Sequence, residues 1–583
     1  MKLYFPRFAF LCVLCVLCVD TISASALDRE AFTFTKYDLD VRIEPDQQRL
    51  GARGTITLRN DSSTPQKIVV LQVSSSLSWL SIKAGGKQLQ FVSQPYTSDI
   101  DHTGALSEAI VTLPAAVARK ETIDLEIAYE GVIVLDATRL TRMGAPESAA
   151  QSADWDRISA KFTAMRGVGY VAWYPIATEA ADMTDGTGLS EVIGRWKTRE
   201  SEASMHARVR IASRGEDNAP ELLINAANCS AAADLKGEFV ADCTYTSLGW
   251  AVPTVVMADY QTSTRAGVAI HYLPGHDAAS SNYGDAAEKA LPLIAEWFGD
   301  PRNKAQMADL PDGDSVAFEN GSLLLAPLTG FDAKAAGLAA AHQLTHAAIF
   351  SPRPWINEGL AHFAQALYLE QRSGRQAALD YMAAHRSALT MSEIQTTAPH
   401  PLDEVSNSLI NTADEALYRS KAMYVWWMLR EMVGDTGLKK ALAAYRAGED
   451  KEPSHMQRLI QTQTQKDLEW FFDDWVYRER GLPDFKVDSA FVRKTLPEGF
   501  MLTVTVSNLG AAGAEVPVTV KFTGGEVTQR LVVRGKSSAV TRVQVNKMPE
   551  EVVVNDGSVP ESDLSNNVFR IPPSDVRESD AAK

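Results

Sequence analysis

The 583-residue chain is poor in cysteine, in positive charge and in long apolar runs. Three of its five cysteines, Cys12, Cys15 and Cys18, fall within the first twenty residues. That leaves Cys229 and Cys243, too few for a disulfide-rich scaffold and without the extra Cys or His ligands of a structural zinc site. In an oxidising compartment two such cysteines pair most simply with each other; two buried free thiols are the alternative. The formal charge of −16 argues against a nucleic acid or an anionic membrane surface as partner. Beyond residue 26 no stretch is apolar enough to span a bilayer. There is no Gly-x-Ser-x-Gly elbow, phosphate-binding loop or dinucleotide fingerprint. Repeats and low-complexity blocks are absent too. With 45% hydrophobic and 22% charged residues, the composition excludes a disordered or collagen-like chain. The length implies about three to five domains.

What is present begins with an export signal. Lys2 and Arg7 precede an apolar run from Phe8 to Val19, and Ala24-Ser25-Ala26 is a small-x-small cleavage site. Residues 1–26 are therefore expected to be removed. Few cysteines and a short signal point to a periplasmic or secreted protein.

Three regions follow. In 27–262, Tyr37, Leu39, Val41 and Ile43 alternate with polar residues, and so do Ile123, Leu125, Ile127 and Tyr129, which predicts half-buried strands. In 263–484 the spacing turns helical, with helices predicted over 285–298, 333–350, 355–371, 376–390, 417–432, 436–446 and 465–478. In 485–571 alternation returns at Leu502, Val504 and Val506 and from Val516 to Phe522, predicting a small β-sandwich. A polar tail, 572–583, is expected to be disordered.

The chemistry concentrates in the helical region. His342 and His346 are four apart and project from one face of one helix. Two imidazoles so placed suit one zinc ion. A third ligand must come from elsewhere, and Glu358 in Trp355-Ile356-Asn357-Glu358-Gly359 is the candidate, at the start of the next helix after a proline turn. Two His and one Glu leave a coordination position open, the arrangement of a catalytic zinc.

These segments resemble the gluzincin metallopeptidases of the aminopeptidase N type, within the wider peptidase MA-like group. Val316-Ala317-Phe318-Glu319-Asn320-Gly321 is similar to that family's substrate motif. Trp355 to Ala361 is similar to its third-ligand segment, and Lys421 to Leu429 to the segment after its catalytic tyrosine. Trp475 followed by Gly481-Leu482-Pro483 looks like the end of its catalytic domain. The resemblance implies a multidomain α+β chain with an N-terminal β-rich domain, a thermolysin-like, mainly helical catalytic domain and a C-terminal immunoglobulin-like sandwich. It implies one zinc ion on His342, His346 and Glu358. Glu319, with Asn320, would take the substrate's amino end, and Tyr418 would support the oxyanion.

Three departures qualify this. Gln343 stands where the family has the general-base Glu, and an amide cannot accept a proton at neutral pH. Eleven residues separate His346 from Glu358, fewer than in aminopeptidase N relatives. The family tyrosine aligns with Arg419, leaving Tyr418 one position away. The expectation is an exported metallopeptidase homologue acting on a peptide or protein, with hydrolysis weakened at Gln343. The alternative is a pseudopeptidase, a zinc-stabilised scaffold that binds peptides or a partner protein.

Overall fold

The computed structural model describes residues 27–185, 188–212, 221–225, 228–230, 233–234, 238–395, 407–412, 414, 417–495, 499–572 and 576–577. The signal segment 1–26 lies outside them, as does the tail from 572 apart from 572 and 576–577.

The first alternating segments form a nine-stranded sheet. Its strand Phe32–Glu44 pairs antiparallel with Arg49–Asn60 and parallel with Ser204–Ala212. Tyr37, Leu39, Val41 and Ile43 share one buried face, as a period of two requires. Thr122–Val132 extends the sheet beyond Arg49–Asn60. A second sheet of Gln66–Ser74, Ala105–Val117 and Gln90–Thr97 sends Val69, Leu71 and Val111 into the same core. Cys229 and Cys243 are register partners on antiparallel strands and are joined by a disulfide. This part is not β alone. Helix Gly188–Glu200, absent from the sequence reading, buries Val192 and Trp196 in that core.

A five-stranded sheet opens the next part, in the order Gln261–Arg265, Val268–Tyr272, Ala305–Asp309, Leu323–Ala326, Phe318–Asn320. The last two form an antiparallel hairpin, so Phe318–Asn320 is an edge strand. Two long helices, Asp277–Phe298 and Ala333–Ala348, pack on the sheet; Pro354–Ser373 packs on the second of them, and Arg375–Gln395 on Pro354–Ser373. The first begins at Asp277, two turns earlier than the predicted Asp285. Tyr283, Ala286, Ala287 and Ala290 keep one face buried across Gly284.

The segment predicted as one helix over 465–478 is instead a short helix, Glu469–Phe472, running into a wide π turn, Asp473–Tyr477. Its geometry is set from outside. The Trp475 indole donates to the Gly513 carbonyl at 2.7 Å, and the Asp474 carboxylate accepts from the Gly513 amide at 3.0 Å. Helix His455–Gln461 was not anticipated.

From Phe485 two four-stranded sheets form. One runs Ser538–Val545, Phe500–Asn508, Phe485–Lys494, Val576–Arg577; the other runs Gly525–Val533, Ala514–Phe522, Pro549–Val554, Val568–Arg570. Their valines join the helices in one continuous apolar core. Ion pairs Arg375–Asp556 (2.9 Å) and Arg530–Glu431 (2.8 Å) tie the two parts together. Among the described residues no helix is long and apolar enough to cross a membrane.

At Gly359 two helices approach too closely for a side chain. A Cβ on Gly359 would lie 2.5 Å from the Ala422 Cβ and 3.0 Å from the Trp426 indole nitrogen. Gly359→Ala therefore has to push helix Pro354–Ser373 away from Ala422–Val433. We expect a loss of about 1–3 kcal/mol, as for other overpacked cores, read as a lower thermal midpoint. An unchanged midpoint would show that the contact yields without strain.

Candidate metal centre

The His-bearing helix starts at Asp332, whose carboxylate accepts from the Ala335 amide at 2.7 Å, a side-chain N-cap. Its many alanines let neighbouring helices approach closely. His342 and His346 are buried on one face, with their Nε2 atoms 3.0 Å apart. Pro354 stands in the first turn of the next helix. That helix brings Glu358 to the pair: its Oε1 lies 3.5 Å from His346 Nε2, its Oε2 3.8 Å from His342 Nε2. The three donors are within 4.8 Å of one another.

These residues fit a zinc ion. Two ligand atoms each about 2.0–2.1 Å from a tetrahedral ion sit roughly 3.3 Å apart, and the separations of 3.0, 3.5 and 3.8 Å bracket that value. Burial, opposed by Glu358, brings both imidazoles down to about 4, so each is neutral and offers a lone pair. Burial alone would raise Glu358. His346 and His342, charged once the pH is low enough to protonate them, and the permanent charge of Arg419 outweigh it and hold the carboxylate below the usual range. Orienting contacts surround the donors, as around known metal sites. Gln365 Oε1 lies 3.5 Å from His342 Nδ1 and accepts from the Tyr381 hydroxyl at 2.7 Å. The Asn357 amide nitrogen donates to His346 Nδ1 at 3.2 Å, so in the metal-free chain the proton of that ring sits on Nε2, facing His342 Nε2, and has to leave it for a metal to bind there.

Glu319, on the edge strand, reaches in from the other side, its Oε2 3.4 Å from His342 Nε2. Asn320 turns away. Its amide donates to the Val252 carbonyl at 2.6 Å and to the Thr254 hydroxyl at 3.2 Å, and accepts from the Val252 amide at 3.3 Å. It anchors the strand to the first β region, and Glu319 is the member of the pair that meets the donor set. Tyr418 and Arg419 lie on a π turn, Leu417–Lys421, a distortion frequent at functional sites. Tyr418 packs its ring near Trp250, with centroids 6.4 Å apart. Arg419 points its Nε to within 3.5 Å of Glu358 Oε2. Glu319, Glu358, His346, Tyr418 and Arg419 line a cleft of about 1180 Å³.

Gln343 is fully buried, and both ends of its amide are engaged. Its oxygen accepts from the Tyr283 hydroxyl, and its nitrogen donates to the Gln306 carbonyl at 2.9 Å. Tyr283 and Gln306, like Gln365, were not singled out from the sequence. They come from distant segments and carry no local motif. Arg419 was visible only as a mismatch. Lys421, at the end of the π turn, is buried and holds both Glu479 oxygens at 2.7 Å.

Residues 353–475 match the Peptidase family M1 domain. The match takes in Glu358 and Tyr418 but begins after the His-bearing helix. No curated protein matches the chain. Among solved structures the chain is similar to an M1 zinc metallopeptidase from Deinococcus radiodurans. A Glu-to-Ala mutant of that protein shares 17% identity over 78% of this chain and 96% of its own, with a TM-score of 0.48. The unmutated form shares 16% over 74% and 91%, at 0.46. The mutant bound to a Tyr-Ser-Ala substrate shares 16% over 77% and 94%, at 0.45.

The imidazole shifts predict a pH dependence. Both histidines fall from an ordinary 6.5 to about 4 in the folded chain. Between those values the unfolded chain binds protons that the folded chain does not, so metal-free stability is lost as pH falls from 6.5 toward 4. A His342→Gln/His346→Gln double variant should show a flatter decline in thermal midpoint across that window. Parallel curves for the two proteins would contradict the burial of neutral imidazoles.

Proposed function

We propose that the chain is a metallopeptidase homologue of the M1 type that holds one zinc ion on His342, His346 and Glu358 and takes a peptide into the adjoining cleft. The observation that carries this reading is the convergence of two buried histidines and a part-buried glutamate, correctly spaced and beside Glu319, in a chain whose following segment matches the M1 domain. Zinc, when bound, supplies Lewis acidity to a peptide carbonyl and to an attacking water. The chain's own groups set the rest. Glu319 receives the substrate's ammonium group. Gln343, bound to Tyr283 and Gln306, can hold a position but cannot take a proton, so hydrolysis is slow.

The parts divide at about 27–260, 261–484 and 485–577 rather than at 262 and 571, because strand Gln261–Arg265 belongs to the second part's sheet and Val576–Arg577 to the last part's; residues 1–26 serve as the export signal and the last part is an immunoglobulin-like sandwich. The Cys229–Cys243 disulfide supports an oxidising destination, periplasmic or secreted.

A second reading is favoured by one observation. Both ends of the Gln343 amide serve the fold, as they would in a scaffold that binds peptides without cleaving them. Gln343→Glu separates the two. Under the enzyme reading, zinc-loaded wild type releases the fluorophore from aminoacyl-coumarin amides slowly, and the variant gains about 10²–10⁴-fold in rate, the usual worth of a general base. Absence of turnover in both proteins, with peptide binding intact, would establish the scaffold.

A further inference from the structure

The cleft that holds the donor set carries its charges unevenly. Among the described residues its carboxylates are Glu319 and Glu358, both at the donor set. Away from that set, and from Arg419 beside it, the charged groups lining the cleft are Lys197, Arg302 and Lys304, all basic. The chain as a whole has 73 acidic and 57 basic residues, so a lining that mirrored it would be mostly acidic. Arg302 and Lys304 are exposed, and among the described residues neither side chain makes an ion pair or a hydrogen bond. Their backbone fixes them near the donor set. The Arg302 and Asn303 amides donate to the Ala347 carbonyl at 2.8 and 3.0 Å, one residue beyond His346. Lys304 lies two residues before Gln306, whose carbonyl holds Gln343. Lys304 and Gln306 both line the cleft while Ala305 between them is buried, the alternation of an extended chain.

We propose that Arg302 and Lys304 bind carboxylate side chains, and that the cleft selects acidic peptides, those carrying Asp or Glu. The inference rests on the cleft being the peptide site described above. The Arg302 guanidinium is a planar fork that takes a carboxylate through two hydrogen bonds, whereas the Lys304 ammonium acts as a point charge. An extended peptide points successive side chains to opposite faces, so two adjacent acidic residues present a carboxylate whichever face meets the cations. Both cations are in contact with solvent, so each pairing is partly screened and weakens with salt. The arrangement therefore discriminates between ligands by a modest factor and does not anchor them tightly.

The test is calorimetry on the zinc-loaded full chain with Ala-Ala-Glu-Glu-Ala and Ala-Ala-Gln-Gln-Ala, both as C-terminal amides. The caps leave the Glu side chains as the only carboxylates in the pair. At low salt the Glu peptide is expected to bind about fivefold more tightly, the scale of one or two exposed ion pairs. At high salt that advantage should fall away. An Arg302→Gln/Lys304→Gln double variant should lose the preference by weakening the Glu peptide alone, with zinc content unchanged. Equal affinity of the wild type for the two peptides would overturn the proposal and leave the peptide site standing. A preference that survives in the double variant would overturn the assignment to these residues. Binding of neither peptide to the zinc-loaded wild type would overturn the peptide-site reading and this proposal with it.

Discussion

Two neutral imidazole nitrogens held 3.0 Å apart in a buried pocket are the constraint on which the site depends. Two lone pairs at that separation would repel, so either the Nε2–H tautomer of one neutral ring donates to the lone pair of the other, or a cation lies between them. The Asn357 amide nitrogen on His346 Nδ1 suits the first arrangement in the metal-free chain, and Glu358 offers a third donor on the same side for the second. A divalent ion satisfies all three groups together. Helix geometry brings the three donors together: a spacing of four on one helix sets the imidazole pair, and the helix begun at Pro354 delivers the carboxylate.

Much of the remaining structure holds these parts in place. Gly359 lets the Glu358 helix close on Ala422 and Trp426. The Asn320 amide fixes the Glu319 strand against Val252 and Thr254, binding the first β region to the cleft. The Lys421–Glu479 pair anchors the π turn that carries Tyr418 and Arg419. The C-terminal sheets share the helices' core and meet them through Trp475 and Gly513. These contacts do not touch a ligand, yet each bears on the position of a group lining the cleft.

The donor set was legible because its spacing is local: a His pair one helical turn apart, then a proline-started helix with its glutamate. The alternating strands were legible for the same reason. What escaped was set by contacts far apart in sequence. The helix was predicted only from Asp285, so the two turns before it, which bear Tyr283, lay outside the reading, and with them the hydroxyl that holds Gln343. The sequence showed Gln343 as an amide in place of an acid. Only the fold shows both ends of that amide committed elsewhere. Arg419 likewise read as the loss of a tyrosine, whereas the fold places a cation beside a metal donor. Asn320, read as a ligand contact, lines the cleft and also anchors its strand to Val252 and Thr254.

The central claim is that this constellation binds zinc. The most direct measurement is the zinc content of the purified chain after dialysis against the metal and removal of the excess, for wild type and for His342→Ala. The account predicts about one zinc per chain in the wild type and none retained in the variant. A wild type without bound zinc, or a variant that keeps the same amount, would contradict it.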